Sequence, residues 1–224
     1  MKSLEADCSF SEAHLQLACI YQMETDHKSA ENHFLKAIEA DSQQIVKFEK
    51  CGKALIKKFQ FQNAKVLFMK AQEKKHHCAR VNIQLSNLYV NQNKLTKAQT
   101  YLKNSIELNP ASSEAHRNLG ILLSQKKSYN EARIHINIAL DIDYSDCLSH
   151  YNLGKILKQN KDYADAELHF LSALDINPKY AICILEMAHL QLIMKNKMKA
   201  KKYYQKARKI SPDIKNAELD KVFV

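Results

Sequence analysis

Tryptophan is absent from this sequence of 224 residues, and glycine and proline occur only three times each. So few glycines leave no stretch that could form a phosphate-binding loop, a dinucleotide-binding turn or a nucleophile elbow, because each of these needs glycine at fixed positions. The six cysteines include no Cys-x-x-Cys pair and so lack a recognised zinc or redox spacing. These absences predict that the chain is not an enzyme by itself and that it uses no cofactor and no metal.

Long hydrophobic runs are also missing. The most apolar stretch, residues 181–194, contains Glu186, His189 and Gln191, so it is too short and too polar to span a bilayer and is predicted to be a buried helix. Residues 1–10 include two acidic residues and lack the apolar core of a signal peptide. With 46% hydrophobic residues the chain does not need disulfides for stability, so its cysteines are predicted to be reduced thiols. These features together predict a cytoplasmic protein without membrane insertion.

Acidic residues are fewer than basic ones. The chain has 34 Lys and Arg against 24 Asp and Glu, which gives a formal net charge of +10. A surplus of positive charge attracts acidic partners, which include acidic proteins, nucleic acids and anionic membrane surfaces.

The main feature that is present is a repeat of 34 residues. Residues 113–146 and 147–180 align without a gap, and both have Asn-Leu-Gly, Tyr, Ala, Ala-Leu and Asp at the same offsets. Self-similarity at such a period indicates an array of stacked structural units rather than one globular core. Six consecutive blocks keep this frame: 11–44, 45–78, 79–112, 113–146, 147–180 and 181–214.

Each block has the pattern of two helices, A and B. Its eighth, twentieth and twenty-seventh positions hold only Ala, Gly or Ser, and its twenty-fourth position holds a large side chain. Small residues that face large ones let two antiparallel helices pack closely. We predict helix A over about the first fourteen residues of a block and helix B as far as about the thirtieth. Pro110, Pro178 and Pro212 all occupy the thirty-second position, where proline ends helix B.

This period and pattern resemble those of the tetratricopeptide-repeat (TPR) family. The resemblance implies an all-α fold, a right-handed superhelical solenoid of antiparallel helix pairs, with six repeats over residues 11–214. Residues 1–10 match the end of a repeat, so they are predicted to belong to a partial upstream repeat and the chain to a longer or degenerate array. Residues 215–224 place Leu219, Val222 and Phe223 among charged residues, which predicts a C-terminal capping helix or tail.

The resemblance also implies a concave groove lined by helices A. Positions that face this groove are rich in basic and amide side chains, and amides can pair with both the N–H and the C=O groups of an extended peptide. The amides at the sixth position resemble the asparagine ladder of O-linked N-acetylglucosamine transferase repeats, although asparagine is also simply common before Leu-Gly in the family. The predicted groove residues are Gln16, Lys50, Lys53, Lys57, Gln84, Asn87, Arg117, Asn118, Tyr151, Asn152, Lys155 and Lys158.

The sixth block differs from the others in two ways. Its groove positions form an apolar patch that needs cover from the chain's own tail, a second copy or a ligand: Ile182, Leu185, Leu192 and Ile193. Its helix B has no acidic residue from Lys195 to Lys209 and includes Tyr203 and Tyr204. This basic helix could bind phosphates and stack bases, or it could be an ordinary solvated helix. Its cations include Lys195, Lys199, Lys202, Lys206 and Lys209.

The function predicted from these patterns is a non-catalytic protein-interaction scaffold that binds a peptide segment of an acidic partner in the groove. One alternative is the substrate-recruiting arm of a larger enzyme, such as a glycosyltransferase. A second alternative is binding of nucleic acid or an anionic surface through the basic helix. Most histidines recur at the fourth and twenty-third positions of the blocks, which predicts a structural role. The cluster at residues 76–78 lacks a fourth zinc ligand.

Overall fold

A computed structural model describes residues 13–14, 16–18, 20–21, 24, 26–40, 64–66, 68–69 and 79–223. The secondary structure of this part is helical, with turns between the helices and no strand. The helices are α1 (His27–Ala40), α2 (Ala79–Asn91), α3 (Leu95–Leu108), α4 (Ser113–Gln125), α5 (Tyr129–Ile142), α6 (Cys147–Gln159), α7 (Tyr163–Ile176), α8 (Ala181–Ile193), α9 (Lys197–Ile210) and α10 (Ala217–Phe223). None of the described helices combines the length and apolar character needed to cross a membrane.

The chain divides into two compact units, Met1–Pro110 and Ala111–Val224. In the first unit α2 packs against α3. In the second unit α4 packs against α5, α6 against α7 and α8 against α9, and each pair also contacts the next one. Because only a short turn joins the two helices of a pair, the helices of each pair are antiparallel.

Capping residues explain where two of the three A helices of the second unit begin. The side chain of Ser112 accepts a hydrogen bond from the backbone N–H of Ala115, 3.2 Å away, at the start of α4. Asp146 accepts one from the N–H of Leu148 at the start of α6, also at 3.2 Å. Both side chains satisfy backbone donors that have no partner within the helix.

Glycine lies where helices A and B approach most closely. A Cβ atom on Gly154 would be 2.7 Å from the ring of Phe170, and one on Gly120 would be 2.6 Å from Cγ1 of Ile136. Phe170 and Ile136 are fully buried. The close approach of small and large positions that the repeat pattern predicts is therefore present in both pairs.

The turn between helices A and B has the same geometry in four pairs. The middle residue of this three-residue turn has a positive φ, between 57° and 69°, although it is never glycine. Lys127 donates its N–H to the carbonyl of Ser124, and Ser128 donates to Leu123, which is the Schellman pattern that ends a helix in the left-handed conformation. The other residues with this conformation are Asn93, Lys161 and Lys195.

Helices A and B are spaced differently within the second unit. The A helices α4, α6 and α8 contact one another in sequence. The B helices α5 and α7 are separated by a cleft of about 210 Å³, which Arg133 and Asn137 line from one side and Asp165 and His169 from the other. Because the A helices are closer together, they form the inner face of this unit.

The C-terminal helix α10 covers the end of the second unit. Its Leu219 is fully buried against Ala188 of α8 and Tyr204 of α9. The side chain of Asn216 accepts hydrogen bonds from the backbone N–H groups of Glu218 and Leu219, at 3.1 Å each, and so caps the start of the helix. The hydroxyl of Tyr204 donates to Asp220.

Candidate functional site

The face formed by α4, α6 and α8, which we call the helix-A face, carries half of the predicted groove residues. Arg117 of α4 reaches the start of α6, where its Nη1 lies 2.7 Å from Oδ2 of Asp146. Asp146 also accepts a hydrogen bond from Oγ of Ser149 at 2.6 Å. Burial alone would raise the pKa of Asp146, but the hydrogen bonds from Ser149 and Arg117 outweigh it and hold this pKa below its ordinary value. Arg117 therefore links α4 to the start of α6.

Lys158 of α6 is also paired within the chain. Its ammonium group forms an ion pair with Glu186 of α8 and lies 3.2 Å from Nδ1 of His189. His189 in turn places Nε2 2.7 Å from Oε2 of Glu218 in α10. With Nδ1 accepting from Lys158 and Nε2–H donating to Glu218, these side chains form a continuous polar row across three helices. The charge of Lys158 is therefore largely neutralised by its neighbours.

Lys155 is placed differently. Its Nζ lies 5.4 Å from the ring centroid of Tyr151, within the range of a cation–π contact. The Tyr151 ring is itself 5.1 Å from that of Tyr180. Burial raises the pKa of Tyr151 well above its ordinary value and that of Tyr180 to about 12, so both phenols stay neutral. Within the described part of the chain no carboxylate forms an ion pair with Lys155.

The two asparagines of this face keep hydrogen-bonding capacity. Nδ2 of Asn152 donates to the carbonyl of Leu148, 2.7 Å away, which leaves the amide oxygen as an acceptor. Asn152 and Asn118 are both partly exposed. Together with Lys155 they provide acceptors, donors and one positive charge along two neighbouring A helices.

The predicted groove residues of the first unit are less uniform. Gln84 is only 3% exposed, whereas Asn87 is partly exposed and Gln16 is exposed. Gln84 is thus buried in the interior of its unit. Three of the predicted groove residues lie outside the described residues: Lys50, Lys53 and Lys57.

The apolar patch of the sixth block is partly covered. Leu185 and Leu192 pack against the cluster formed by Ala188, Tyr204 and Leu219. Ile182 and Ile193 remain 52% and 38% exposed. The cluster to which α10 contributes Leu219 thus covers two of the four patch residues, Leu185 and Leu192.

Sequence comparison identifies the family to which these helix pairs belong. Three family profiles, each described as tetratricopeptide repeat, match residues 11–44, 83–146 and 147–180, which is more than half of the chain. The chain belongs to the TPR family. Its fold class is accordingly an all-α solenoid of antiparallel helix pairs. A comparison with curated proteins finds no match.

Solved TPR structures share this fold at low sequence identity. The structure of pilF from Pseudomonas aeruginosa is 17% identical, with a TM-score of 0.72 over 97% of this chain and 98% of that chain. YrrB, described as a TPR protein with an unusual peptide-binding site, is 19% identical with a TM-score of 0.60, over 80% and 93%. A chain of the APC/C hetero-tetramer Cut9–Hcn1 is 18% identical with a TM-score of 0.74, over 95% of this chain and 42% of that one.

The recurring histidines of the TPR frame form contacts that periodicity alone did not reveal. Nδ1 atoms face each other at 3.0 Å in the pairs His14–His33 and His150–His169, and at 3.1 Å in a third pair, His116–His135. Burial lowers the pKa of His14 and of His169, and the facing histidine lowers each further. Only one nitrogen of each facing pair can carry a proton, so these pairs are internal hydrogen bonds within a TPR. Their regular spacing of 19 residues was the available signal.

The described cysteines of this TPR chain are buried or partly buried free thiols. Cys147 lies 3.3 Å from the carbonyl of Ala173, and Cys183 lies 3.6 Å from that of Phe170. Burial raises the pKa of both thiols, that of Cys183 to about 12, so neither is a reactive thiolate. Among the described side chains no group of three or more His, Cys, Asp or Glu could hold a metal ion. The cluster at residues 76–78 lies outside them.

The basic helix predicted in the sixth TPR corresponds to α9 and the turn before it. Ala200, Tyr204 and Ala207 are its buried residues. Its lysines and arginine are all exposed, as is Lys195 in the turn. Three of the lysines line a cleft of about 350 Å³ together with Tyr203: Lys199, Lys202 and Lys206.

Proposed function

We propose that this TPR protein is a non-catalytic interaction scaffold that holds an extended peptide segment against the helix-A face of its second unit. TPR proteins bind protein or peptide partners. The observation that carries the proposal is the position of Lys155, which lies over the ring of Tyr151 on the same face as the partly exposed amides of Asn118 and Asn152. Among the described residues no carboxylate forms an ion pair with it. The structural similarity to YrrB, described as having a peptide-binding site, supports the same class of ligand.

The expected mode of binding follows from the side chains that remain available. Asn118 and Asn152 can hydrogen-bond to the N–H and C=O groups of an extended backbone. Lys155 can pair with an acidic side chain of the peptide, while the neighbouring aromatic ring excludes water from that pair. Arg117 and Lys158 contribute mainly by holding the three A helices in position. The preference for an acidic partner is therefore expected to depend on Lys155 more than on either of these.

A peptide-display selection against the full-length chain tests this proposal. Peptides that bind the wild-type chain are synthesised, and their Kd values are measured by fluorescence anisotropy. The triple variant Asn118→Ala/Asn152→Ala/Lys155→Glu is expected to raise Kd by about tenfold or more, since each lost hydrogen bond contributes about 1 kcal/mol and tenfold corresponds to about 1.4 kcal/mol.

A matched control carries the same changes outside the helix-A face: Asn130→Ala/Asn137→Ala/Lys179→Glu. These residues are exposed and lie on α5 and in the turn after α7. The control is expected to bind with the wild-type Kd. Selected peptides that bind both variants as tightly as the wild type would contradict the proposed peptide-binding face.

A further inference from the structure

The outward side of α9 carries a row of four lysines beside one aromatic ring. Lys199, Lys202, Lys206 and Lys209 follow one another at three or four residues, so they lie along one side of the helix. At 1.5 Å per residue the row is about 15 Å long. We call it the α9 lysine row. Because the buried residues of α9 lie on another side, all four ammonium groups face solvent.

The row borders a cleft. The cleft has a volume of about 350 Å³ and is lined by Lys199, Lys202, Lys206 and Tyr203. Sites for small ligands typically measure about 300–1,000 Å³. Lysine packs its aliphatic stem along apolar surface and keeps its charged end in water, so the cleft has apolar walls and a positively charged rim. Tyr203 also packs against the cluster of Ala188, Tyr204 and Leu219, which fixes its ring.

Within the residues that the structure describes, no ion pair neutralises the charge of this row. No acidic residue occurs in α9. In the described part of the chain no ion pair involves a lysine of the row, whereas Arg117 and Lys158 of the helix-A face both have carboxylate partners. Like charges one turn apart on a helix repel each other, so a bound anion would remove an unfavourable interaction that is already present.

Glu167 of α7 is the carboxylate whose charge acts on Tyr203. Glu167 of α7 accepts a hydrogen bond from Nε2 of Gln191 at 2.8 Å. Burial, and then the charge of Glu167, raise the pKa of Tyr203 above its ordinary value, so its ring carries a neutral hydroxyl. Glu167 therefore lies near Tyr203, at the aromatic end of the cleft, and forms no ion pair with a lysine of the row.

We infer that the α9 surface binds single-stranded nucleic acid, with phosphates along the α9 lysine row and a base stacked on Tyr203. A row of cations that follows a phosphate backbone, next to an aromatic side chain on which a base can stack, is the combination found in single-strand binding sites. An acidic peptide would pair with the lysines but brings no base to stack on the part of Tyr203 that is not packed against the cluster. The pI of about 9.2 agrees with a polyanionic partner. This site is separate from the helix-A face and does not depend on peptide binding there.

Fluorescence anisotropy with a labelled single strand of about 15 nucleotides tests the inference on the full-length chain. The variant Lys199→Glu/Lys202→Glu/Lys206→Glu is expected to raise Kd at least about tenfold. Each phosphate contact on a single strand contributes about −0.7 to the slope of log affinity against log salt, so the slope is expected to change from about −3 to about −1.

The same helix provides a matched control. Lys197→Glu/Lys201→Glu/Arg208→Glu changes the net charge equally. At 3.6 residues per turn these three residues lie close together around α9, on a different side from the α9 lysine row. The control is expected to retain most of the affinity. Equal losses in both variants would show attraction by net charge alone and would overturn a defined site. Circular dichroism and Tm would verify that both variants remain folded.

The stacking contact is tested separately. Tyr203→Phe keeps the ring and is expected to bind like the wild type, whereas Tyr203→Leu is expected to lose about fivefold or more. A duplex of the same length is expected to bind more weakly, because its bases are already stacked. Unchanged binding of Tyr203→Leu, or displacement of the single strand by polyglutamate at equal charge concentration, would show that the surface accepts polyanions in general and would overturn the inference. Absence of binding at low salt would also overturn it.

Discussion

Asp146 connects the helix pair of the fourth repeat to that of the fifth. It caps α6 through the N–H of Leu148, accepts from Ser149 and pairs with Arg117, with 9% of its side chain exposed. A carboxylate that accepts several donors at once favours its charged form, so the folded state binds a proton there less readily than the unfolded chain does.

The pH dependence of stability should reflect this. The pKa of Asp146 is lowered on folding, so its contribution is fully present above the unfolded value of about 3.9 and is lost as pH falls through that value and below it. Asp146→Asn is expected to lower the unfolding free energy by about 2 kcal/mol at pH 7 and to flatten the loss of stability between about pH 5 and pH 3. Urea unfolding at several pH values measures both effects.

The control for this experiment is Asp175→Asn, which removes one carboxylate from an exposed position on α7. Its unfolding free energy at pH 7 is expected to stay within about 0.5 kcal/mol of the wild type. If Asp146→Asn retained the full acid dependence of the wild type, the pairing with Arg117 and Ser149 would not be a source of stability.

At the scale of helices, the distance between A and B depends on one missing methyl group. Within a helix, alanine is favoured over glycine by about 1 kcal/mol. At Gly154, however, a Cβ atom would lie 2.7 Å from the ring of Phe170 and 3.2 Å from the carbonyl oxygen of Ala166. The ring is fully buried and cannot move without displacing its neighbours.

Gly154→Ala is therefore expected to destabilise the protein by about 1–3 kcal/mol in spite of its better helix propensity. In the double variant with Phe170→Leu, the two losses should be less than additive, because the smaller side chain leaves room for the methyl group. Thermal and urea unfolding of the wild type, the two single variants and the double variant complete this double-mutant cycle. Ser172→Ala, a surface change on α7, provides the control and is expected to have little effect. A more stable Gly154→Ala variant would contradict the close packing of α6 against α7.

At the scale of the molecule, α10 closes the second unit. A repeat array needs a cap because its last helix pair would otherwise expose the surface that other pairs bury against a neighbour. Here the cap is small: Leu219 fills the contact with Ala188 and Tyr204, and Phe223 packs at its edge. The polar row from Lys158 to Glu218 crosses the same junction.

Leu219→Ala is expected to cost about 2–5 kcal/mol, the range for truncating a fully buried leucine. Val222→Ala on the same helix provides the control, since Val222 is 45% exposed and should change the unfolding free energy by less than about 0.5 kcal/mol. Urea unfolding compares the two variants. Equal, small effects would mean that α10 does not stabilise the helix pair it covers.

Much of this architecture could be predicted from periodicity alone. The small residues and prolines of the frame predict a helix over about the first fourteen residues of a block, and α4, α6 and α8 begin at Ser113, Cys147 and Ala181. Such predictions succeed because the contacts within a helix pair involve residues close in sequence, so one repeat carries all the information. The left-handed conformation of Lys127, Lys161 and Lys195 was missed because lysine is not a turn signal, unlike glycine or the asparagine at position 93.

The sequence by itself determined the TPR fold, the pairing of helices and which residues are small at their contacts, because these follow from short-range steric rules repeated at a fixed period. The tertiary structure decided which of the charges remain available. Arg117 and Lys158 find partners about one repeat away, Asp146 and Glu186, and only the stacking of consecutive pairs brings these within bonding distance. Lys155 and the α9 lysine row stay without carboxylate partners in the described part of the chain, because that same stacking places no acidic side chain within ion-pair distance of them.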